Sequence, residues 1–271
     1  MAERAERSPR IERIIEERGE KGRVARLVID HPGKLNVLSR ALIDEFGEAI
    51  RSLADVAKLR VLVLSGAGER AFIGGADIRD LARLTRETAA DFITALHRVC
   101  DGLRHLPVPV IARINGYALG AGLEVAAACD LRIASTEAHF GMPEVRVGIP
   151  SVIEAALLPG LIGWGRTRRL LLTGETIDAA EAERWGLIDW RLPAAQLDVA
   201  VEELIDAILA CGPEAIRLQK QLIREWEDLP LSQAVERGIA SFASAFERDE
   251  PQRMLGAFLA AAARRKDRGR R

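Results

Sequence analysis

The sequence predicts an α/β fold with a helical C-terminal region, and two patterns support that prediction. Short, almost entirely apolar runs at 60–64, 108–114 and 131–134 are typical of strands that are buried on both faces. Segments with helical spacing of apolar residues alternate with these runs, and from Ser151 onward the pattern is mostly helical. Strands that alternate with helices, followed by helices alone, favour an α/β sheet with a helical appendage.

The N-terminal elements are predicted from turn residues and from a helix cap. Residues 1–9 are expected to be disordered. The runs 11–17 and 23–30 are interpreted as two strands of a hairpin, joined by the glycines and charged residues at 19–22. Ser39 then caps a helix. The apolar face of that helix carries Leu42, Ile43, Phe46, Ile50 and Leu53.

The later elements set the expected domain boundaries. A helix is predicted at 85–104. Its apolar residues at helical spacing are Phe92, Leu96, Val99 and Leu103. The proline-containing segment at 191–195 is the best candidate boundary in the chain. We therefore predict a core at 10–195 and a helical C-terminal region, which would serve trimerisation, at 196–271.

The charge balance argues against a nucleic-acid-binding or membrane-binding protein. Among 271 residues, 39 are Lys or Arg and 40 are Asp or Glu, so no overall field attracts phosphate-rich partners. The exception is the basic run at 264–271, for which a solvated tail is the plainer interpretation and a phosphate contact the sharper one. Apolar runs fall short of the roughly 18 residues that a membrane span needs.

The cysteines and the N-terminus predict a cytoplasmic protein. Cys100, Cys129 and Cys211 are odd in number, far apart and set among apolar residues. This pattern indicates reduced core residues, because a disulfide framework or a metal site would need paired spacing. The N-terminus alternates Glu with Arg and has no apolar segment of the kind that secretion signals carry.

Most common site motifs are missing from the sequence. Residues 66–71 fit G-x-G-x-x-A, but another pair of glycines follows before a helix can begin, which argues against a dinucleotide site. The sequence contains no phosphate loop, no H-E-x-x-H, no C-x-x-C and no G-x-S-x-G. The four histidines share no metal-ligand spacing, so structural or solvated roles are favoured and no metal is expected. They are His31, His97, His105 and His139.

Two glutamates are the candidate catalytic residues. Glu124 follows a small-residue turn and begins a helix whose neighbouring positions 125–128 are all apolar. It could be a first-turn acid that the helix dipole favours, but a lone Glu in such a helix is expected to be buried and titratable. Glu144 ends the run 140–144 and could equally be an ordinary loop residue. Glu154 fits a capping box that begins at Ser151, which would give it a purely structural role.

Two loops of small residues accompany these carboxylates. Ala76 follows Gly74 and Gly75, and Ala121 lies between Gly120 and Gly122. Such glycines can serve close packing of a helix on a strand. They can also leave a backbone amide accessible to a ligand, and two accessible amides are the parts of an oxyanion hole. With two carboxylates, these loops could polarise a carbonyl group and move a proton beside it.

Together these segments resemble the crotonase superfamily, the enoyl-CoA hydratase/isomerase proteins. The string NGYALG at 115–120 is the most specific part of the likeness, which covers nearly the whole chain after the first twenty residues. The resemblance also rests on segments 32–38, 72–78, 140–144, 172–175 and 182–188. It implies a spiral of repeated ββα units with helical C-terminal segments, assembled as a trimer or a dimer of trimers.

The same resemblance implies an activity and a set of site residues. The amides of Ala76 and Ala121 would bind the thioester oxygen of an acyl-CoA, while Glu124 and Glu144 would add water to a 2-enoyl-CoA by syn addition. No cofactor is implied, since CoA enters as part of the substrate. The residues expected to contact substrate or CoA are Lys34, Leu35, Val37, Ala76, Asp77, Ile78, Arg79, Ala121 and Phe258.

One departure from the family pattern leaves alternatives open. The segment 148–155, which borders the acyl pocket in the family, is one residue shorter here, and Glu154 replaces a glycine. The acyl group is therefore not predicted. A Δ3-Δ2-enoyl-CoA isomerase or a hydratase-lyase would need one main acid, so two glutamates favour a hydratase. A non-catalytic acyl-CoA-binding or RNA-binding protein is the alternative of another class.

Overall fold

The computed structural model describes residues 8–268, with side chains as far as Arg264. The chain forms two compact units, one that ends at Ile205 and one that begins at Asp206. This division lies within a helix, ten residues after the boundary predicted from the prolines. The predicted N-terminal disorder falls almost wholly outside the described residues.

The first unit contains two sheets built from short strands. The larger sheet has the order β1-β2-β3-β5-β7-β10 and the smaller one the order β4-β6-β8-β9. The strands are β1 (Arg10–Glu17), β2 (Arg23–Asp30), β3 (Leu59–Gly66), β4 (Ala71–Ile73), β5 (Val110–Ile114), β6 (Tyr117–Leu119), β7 (Leu131–Ser135), β8 (His139–Gly141), β9 (Thr176–Asp178) and β10 (Trp190–Leu192). β1 and β2 form the predicted antiparallel hairpin, whereas β2, β3, β5, β7 and β10 pair in parallel.

The helices lie between strands as far as β10 and follow one another after it. They are α1 (Arg40–Ser52), α2 (Ile78–Leu81), α3 (Arg86–His105), α4 (Ala121–Ala127), α5 (Leu158–Thr173), α6 (Ala179–Trp185), α7 (Leu197–Leu209), α8 (Pro213–Asp228), α9 (Leu231–Ala245) and α10 (Glu250–Arg268). The pairs β3/β4, β5/β6 and β7/β8 each place one strand in each sheet and are each followed by helix. This repeated ββα arrangement, with helices alone after β10, agrees with the predicted fold class.

The helix caps confirm the element boundaries read from the sequence. Ser39 Oγ accepts a hydrogen bond from the Leu42 amide at 3.3 Å, which satisfies one of the first-turn donors of α1. Thr85 caps α3 in a reciprocal capping box with Thr88. The apolar faces of both helices are buried in the core of the first unit, as their helical spacing predicts.

A buried asparagine fixes the loop that looked like a dinucleotide motif. Asn115 Nδ2 donates to the carbonyl oxygens of Gly66 at 3.1 Å and Gly68 at 2.6 Å. A Cβ atom on Gly116 would lie 2.2 Å from the Arg70 carbonyl oxygen, so the two loops approach too closely for any side chain there. The loop leads directly into β4 and not into a helix, which confirms that it lacks the dinucleotide-binding context.

Some expectations were incomplete or wrong. The short strands β4, β6, β8, β9 and β10 were not predicted, because three-residue strands carry almost no periodic signal. Cys100 and Cys129 are buried as expected, but Cys211 is exposed, so the prediction of three core cysteines is wrong. Between residues 8 and 268, no helix is long and apolar enough to cross a membrane.

Candidate active site

A cleft of about 230 Å³ in the first unit brings the candidate site residues together. Its walls are the loop before α2, the N-terminal turn of α4, the side of α3 and the segment 143–152. The predicted residues that line it are Val37, Ala76, Ile78, Ala121, Glu124 and Glu144. The sequence had shown two loops and two acids in separate segments, and the fold joins all four in one place.

The amide of Ala76 is left without an internal partner by the bridge beside it. The Leu38 amide donates to the Gly75 carbonyl oxygen at 2.8 Å, and the Asp77 amide donates to the Leu38 carbonyl oxygen at 2.9 Å. In this parallel bridge the bonds are made by the residues on either side of Ala76. Within residues 8–268, the Ala76 N–H donates no hydrogen bond, so it is available to a ligand.

The amide of Ala121 is available for a different reason. Ala121 is the first residue of α4, and the first amides of a helix have no acceptor within it. The amides of Leu123 and Glu124 both donate to the Gly120 carbonyl oxygen, whereas that of Ala121 donates to no group in the described chain. The helix dipole adds partial positive charge at this end, which favours a developing oxyanion.

The glycines beside Ala121 serve both packing and the site. A Cβ atom on Gly122 would lie 2.0 Å from the Ile73 carbonyl oxygen, so this glycine allows α4 to pack against β4. Gly120 has φ +51°, and its Cβ atom would lie 2.2 Å from Glu144 Oε1. Gly120 therefore leaves the space that the Glu144 carboxylate occupies.

Glu124 lies at the buried side of the cleft. Its side chain is 4% exposed, and burial raises its pKa to about 8 because water is removed from the ionised form. The negative charges of Glu144 and Glu154 raise the pKa further, while the Ala155 amide opposes them. That amide donates to Glu124 Oε1 at 3.1 Å.

Glu144 reaches the same cleft from a more open segment. It lies in the 3₁₀ helix Pro143–Val147 and is half-buried. Ser151 Oγ donates to Glu144 Oε2 at 2.8 Å. The Gly120 amide donates to the Gly141 carbonyl oxygen at 2.9 Å, so the end of β8 is joined to the start of α4. This bond keeps the two glutamate-bearing segments side by side.

Glu154 does not form the predicted capping box. It lies in the 3₁₀ helix Ile153–Leu157, where no side chain caps the N-terminus, and the Ser151 hydroxyl is bonded to Glu144 instead. Glu154 is 4% exposed, and its Oε1 lies 2.9 Å from His97 Nδ1. Ser151 and Glu154 have the residue types and the spacing of a capping box. In the folded protein, however, Ser151 contacts Glu144 and Glu154 contacts His97, so the two side chains do not cap a helix.

An apolar wall completes the cleft and was not predicted. Its residues come chiefly from α2, α3 and the segment after Glu144, and they are Leu81, Phe92, Ile93, Leu96, Val147, Ile149 and Val152. Phe92 and Leu96 are buried core residues that also line the cleft, a role that helical spacing alone does not indicate. Such a surface suits a hydrocarbon chain.

Four predicted CoA contacts in the first unit do not line the cleft. Lys34 ends the 3₁₀ helix Pro32–Lys34, and the Leu35 carbonyl oxygen accepts from the Gly74 amide at 2.8 Å. Asp77 caps α2 by accepting from the Arg79 amide at 2.8 Å. Their contacts with CoA stay predictions.

The fifth such contact is in the second unit. Phe258 lies on α10 and is 71% exposed, and its contact with CoA also stays a prediction. No cluster of three His, Cys, Asp or Glu side chains in the described part of the chain could hold a metal ion.

Comparison with known proteins finds relatives that match almost the whole chain. The enoyl-CoA hydratase/isomerase family model matches residues 19–265. Over 239 residues the chain is 33% identical to a short-chain-enoyl-CoA hydratase of Clostridium acetobutylicum, covering 88% of this chain and 92% of the relative. Over 222 residues it is 37% identical to an (E)-benzylidenesuccinyl-CoA hydratase of Thauera aromatica, covering 78% and 83%.

Solved structures agree with the sequence comparison. The crystal structure of an enoyl-CoA hydratase from Bacillus anthracis matches with a TM-score of 0.86 and 31% identity, over 92% of this chain and 96% of that one. An enoyl-CoA hydratase from Mycobacterium smegmatis matches with a TM-score of 0.87 and 28% identity, over 94% and 97%. The fold, the cleft and these matches agree, and the chain belongs to the enoyl-CoA hydratase/isomerase family, the crotonase superfamily.

Proposed function

We propose that this protein is an enoyl-CoA hydratase that adds water reversibly, with syn geometry, to a 2-enoyl-CoA thioester. One observation carries the proposal: two carboxylates and two unpartnered amides line a single cleft with an apolar wall. Several relatives are named as hydratases of enoyl-CoA thioesters, which supports the same activity. CoA enters as part of the substrate, so the proposed reaction needs no separate cofactor.

The amides of Ala76 and Ala121 would hold the thioester oxygen. When the water oxygen attacks the β-carbon, negative charge moves through the double bond to the thioester oxygen. Donors placed before the reaction stabilise that charge without rearranging, and one such donor is typically worth ~10²–10³ in rate. The apolar wall would hold the acyl chain and keep other water away from the reacting carbons.

The two glutamates would exchange protons with the substrate. With its pKa raised to about 8 by burial, Glu124 keeps its proton at neutral pH. The ionised carboxylate takes a proton from the water molecule while the water oxygen forms a bond to the β-carbon. The protonated carboxyl group delivers its proton to the α-carbon. The pair ends with one proton, so the step balances.

A panel of acyl-CoA thioesters provides a direct test of the proposed activity. The purified protein is incubated with linear, branched and aromatic 2-enoyl-CoA thioesters and with a 3-enoyl-CoA, and products are identified by mass and by loss of the conjugated thioester absorbance. We expect a product heavier by one water from at least one 2-enoyl-CoA. Migration of the double bond in the 3-enoyl-CoA, without hydration of any 2-enoyl-CoA, would instead support the isomerase alternative.

The glutamates are tested separately by Glu124→Gln and Glu144→Gln. Positioned acid–base groups contribute roughly 10²–10⁴ in rate, so each variant should lose at least about a hundredfold in kcat. Acyl-CoA binding, measured by calorimetry with a saturated analogue, should change little because the amides remain. Near-wild-type hydration by Glu144→Gln would remove the two-glutamate mechanism.

We also propose that the protein assembles as a trimer or a dimer of trimers in the cytoplasm. The helices of the second unit and the turn after α9 expose large apolar side chains, which need a covering surface in a soluble protein. They are Leu231, Val235, Ile239, Phe242, Phe246, Leu255, Phe258 and Leu259. The three cysteines are not joined in disulfides, which fits a reducing compartment. Light scattering should show the oligomer, and truncation at Glu250 should weaken it; a monomer at micromolar concentration would overturn the proposal.

A further inference from the structure

Beside the cleft lies a strained turn whose role the two-glutamate mechanism does not explain. Ile153, which opens the 3₁₀ helix Ile153–Leu157, has φ +39°. Positive φ is unfavourable for a β-branched residue, so surrounding contacts must hold this conformation. Strain of this kind persists where the surroundings fix it, often beside a functional group.

On one side, the turn is tied to α3 through Glu154. Glu154 Oε1 lies 2.9 Å from His97 Nδ1. The Glu154 side chain is 4% exposed whereas the His97 side chain is 48% exposed, so the pair links the interior to the surface. A buried carboxylate without a partner would be costly, and His97 supplies that partner.

On the other side, the same turn is tied to the catalytic glutamate. Ala155, the residue after Glu154, donates its amide to Glu124 Oε1 at 3.1 Å. Any movement of the turn would therefore displace the group that orients Glu124. Two hydrogen bonds from adjacent residues connect the exposed His97 to the buried side of the cleft.

The charged and titratable groups around Glu154 come from two helices. His97, Cys100 and Arg104 face it from α3, and Glu124 lies beyond the turn on α4. Burial raises the pKa of Glu154, and His97, Cys100 and Arg104 oppose that rise. The Cys100 thiol is close enough to affect this pKa, yet Glu154 Oε2 accepts no hydrogen bond of ordinary geometry from the described residues. The Glu154 charge in turn raises the pKa of Glu124.

We propose that Glu154, held by His97, is a positioning residue for Glu124. It fixes the strained turn that presents the Ala155 amide, and it keeps a negative charge beside the catalytic pair. This inference rests on the proposed hydratase function, because its effect is transmitted through Glu124. Glu154 itself does not line the cleft and is not assigned contact with substrate.

The pH profile of hydration separates this role from a merely structural one. In the wild type, kcat should fall at alkaline pH as Glu124, with its pKa near 8, loses its proton. Glu154→Gln keeps the size of the side chain and a hydrogen bond to His97 but removes the charge. The alkaline limb should then move to lower pH by roughly half a unit or more, since a nearby like charge raises the pKa of a carboxyl.

The contact between His97 and Glu154 is tested by His97→Leu. This change is at an exposed position and should not prevent folding. It should lower kcat roughly tenfold with little change in KM, because small displacements of a catalytic group are costly while acyl-CoA contacts remain. Adding His97→Leu to Glu154→Ala should cause no further loss of kcat, since each change breaks the same contact between His97 and Glu154. Circular dichroism checks that each variant is folded.

The same helix offers a matched control. His105 and Asp101 form an exposed histidine–carboxylate pair at 3.0 Å on α3, so Asp101→Asn and His105→Leu should leave kcat and the alkaline limb unchanged. The proposal is overturned if the limb of folded Glu154→Gln matches the wild type. It is also overturned if His97→Leu keeps full kcat, or if the controls behave like the test variants.

The failure of this inference can be told from the failure of the proposed function. If the wild type hydrates no member of the acyl-CoA panel, the proposed hydratase function is wrong. The pKa of Glu124 can then still be measured from the pH dependence of unfolding in urea, where its effect on stability should level off near pH 8. Glu154→Gln should lower that pH, and an unchanged value would overturn the inference by itself.

Discussion

Glu124 and Glu144 are the same side chain in one cleft, but their surroundings are opposite. Glu124 comes from a helix whose residues are all buried, and its observed hydrogen bond is to one backbone amide. Glu144 comes from a 3₁₀ helix with no buried residue and accepts from the Ser151 hydroxyl. Desolvation, not residue type, is what holds a proton on Glu124. The contrast supports the proposal that the two carboxylates take different parts in a proton exchange.

The largest expected effect comes from forcing the two carboxylates apart. In Gly120→Ala the new Cβ would lie 2.2 Å from Glu144 Oε1, and the carboxylate must move away. Hydration should fall by about a hundredfold, because a displacement of about 1 Å can cost that much. Gly160→Ala is the matched control, since a Cβ there meets no atom within 4 Å. Full activity of folded Gly120→Ala would contradict the contact between these segments.

The cost of burying Glu124 predicts a difference in stability. The folded-state pKa is about 8 against an ordinary value of 4.5, so between those pH values the folded protein keeps a proton that the unfolded chain releases. Stability from this group is therefore lost as pH rises through that window. Glu124→Gln does not titrate, and near pH 7 it should be more stable than the wild type by about 1–3 kcal/mol.

The matched variant for this stability experiment is Glu144→Gln. Its side chain is half-buried and keeps contact with solvent, so a much smaller gain is expected. Urea unfolding at pH 5 and pH 7 checks both variants. Equal gains for the two glutamines, or a Glu124→Gln gain that does not grow with pH, would show that burial does not separate the two carboxylates.

The smallest expected effect comes from the support of Glu144. Ser151→Ala removes the hydroxyl that donates to Glu144 Oε2 at 2.8 Å. Because water can partly replace a donor at a half-buried site, kcat should fall only about three- to tenfold. Ser151→Thr keeps a hydroxyl and should recover most of the rate. A loss as large as that of Glu144→Gln would mean that Ser151 does more than orient the carboxylate.

Much of the fold could be predicted because its signals are local. The cap at Ser39, the helix that starts near Thr85, the buried runs of β3, β5 and β7, and the hairpin β1–β2 all follow from short-range patterns. The three-residue strands and the exposure of Cys211 could not be predicted this way, since each depends on distant neighbours.

For the site, the sequence by itself was enough to identify the candidate residues. Glu124 in an apolar helix and the small residues around Ala76 and Ala121 were identifiable, because their residue types are unusual for their positions. The tertiary structure decided their environments, including the raised pKa of Glu124, the Ser151–Glu144 bond and the His97–Glu154 pair. The physical reason is that desolvation and hydrogen bonding depend on neighbours brought together by folding. His97 and Glu154 are 57 residues apart in sequence and meet only because α3 packs beside the 3₁₀ helix Ile153–Leu157.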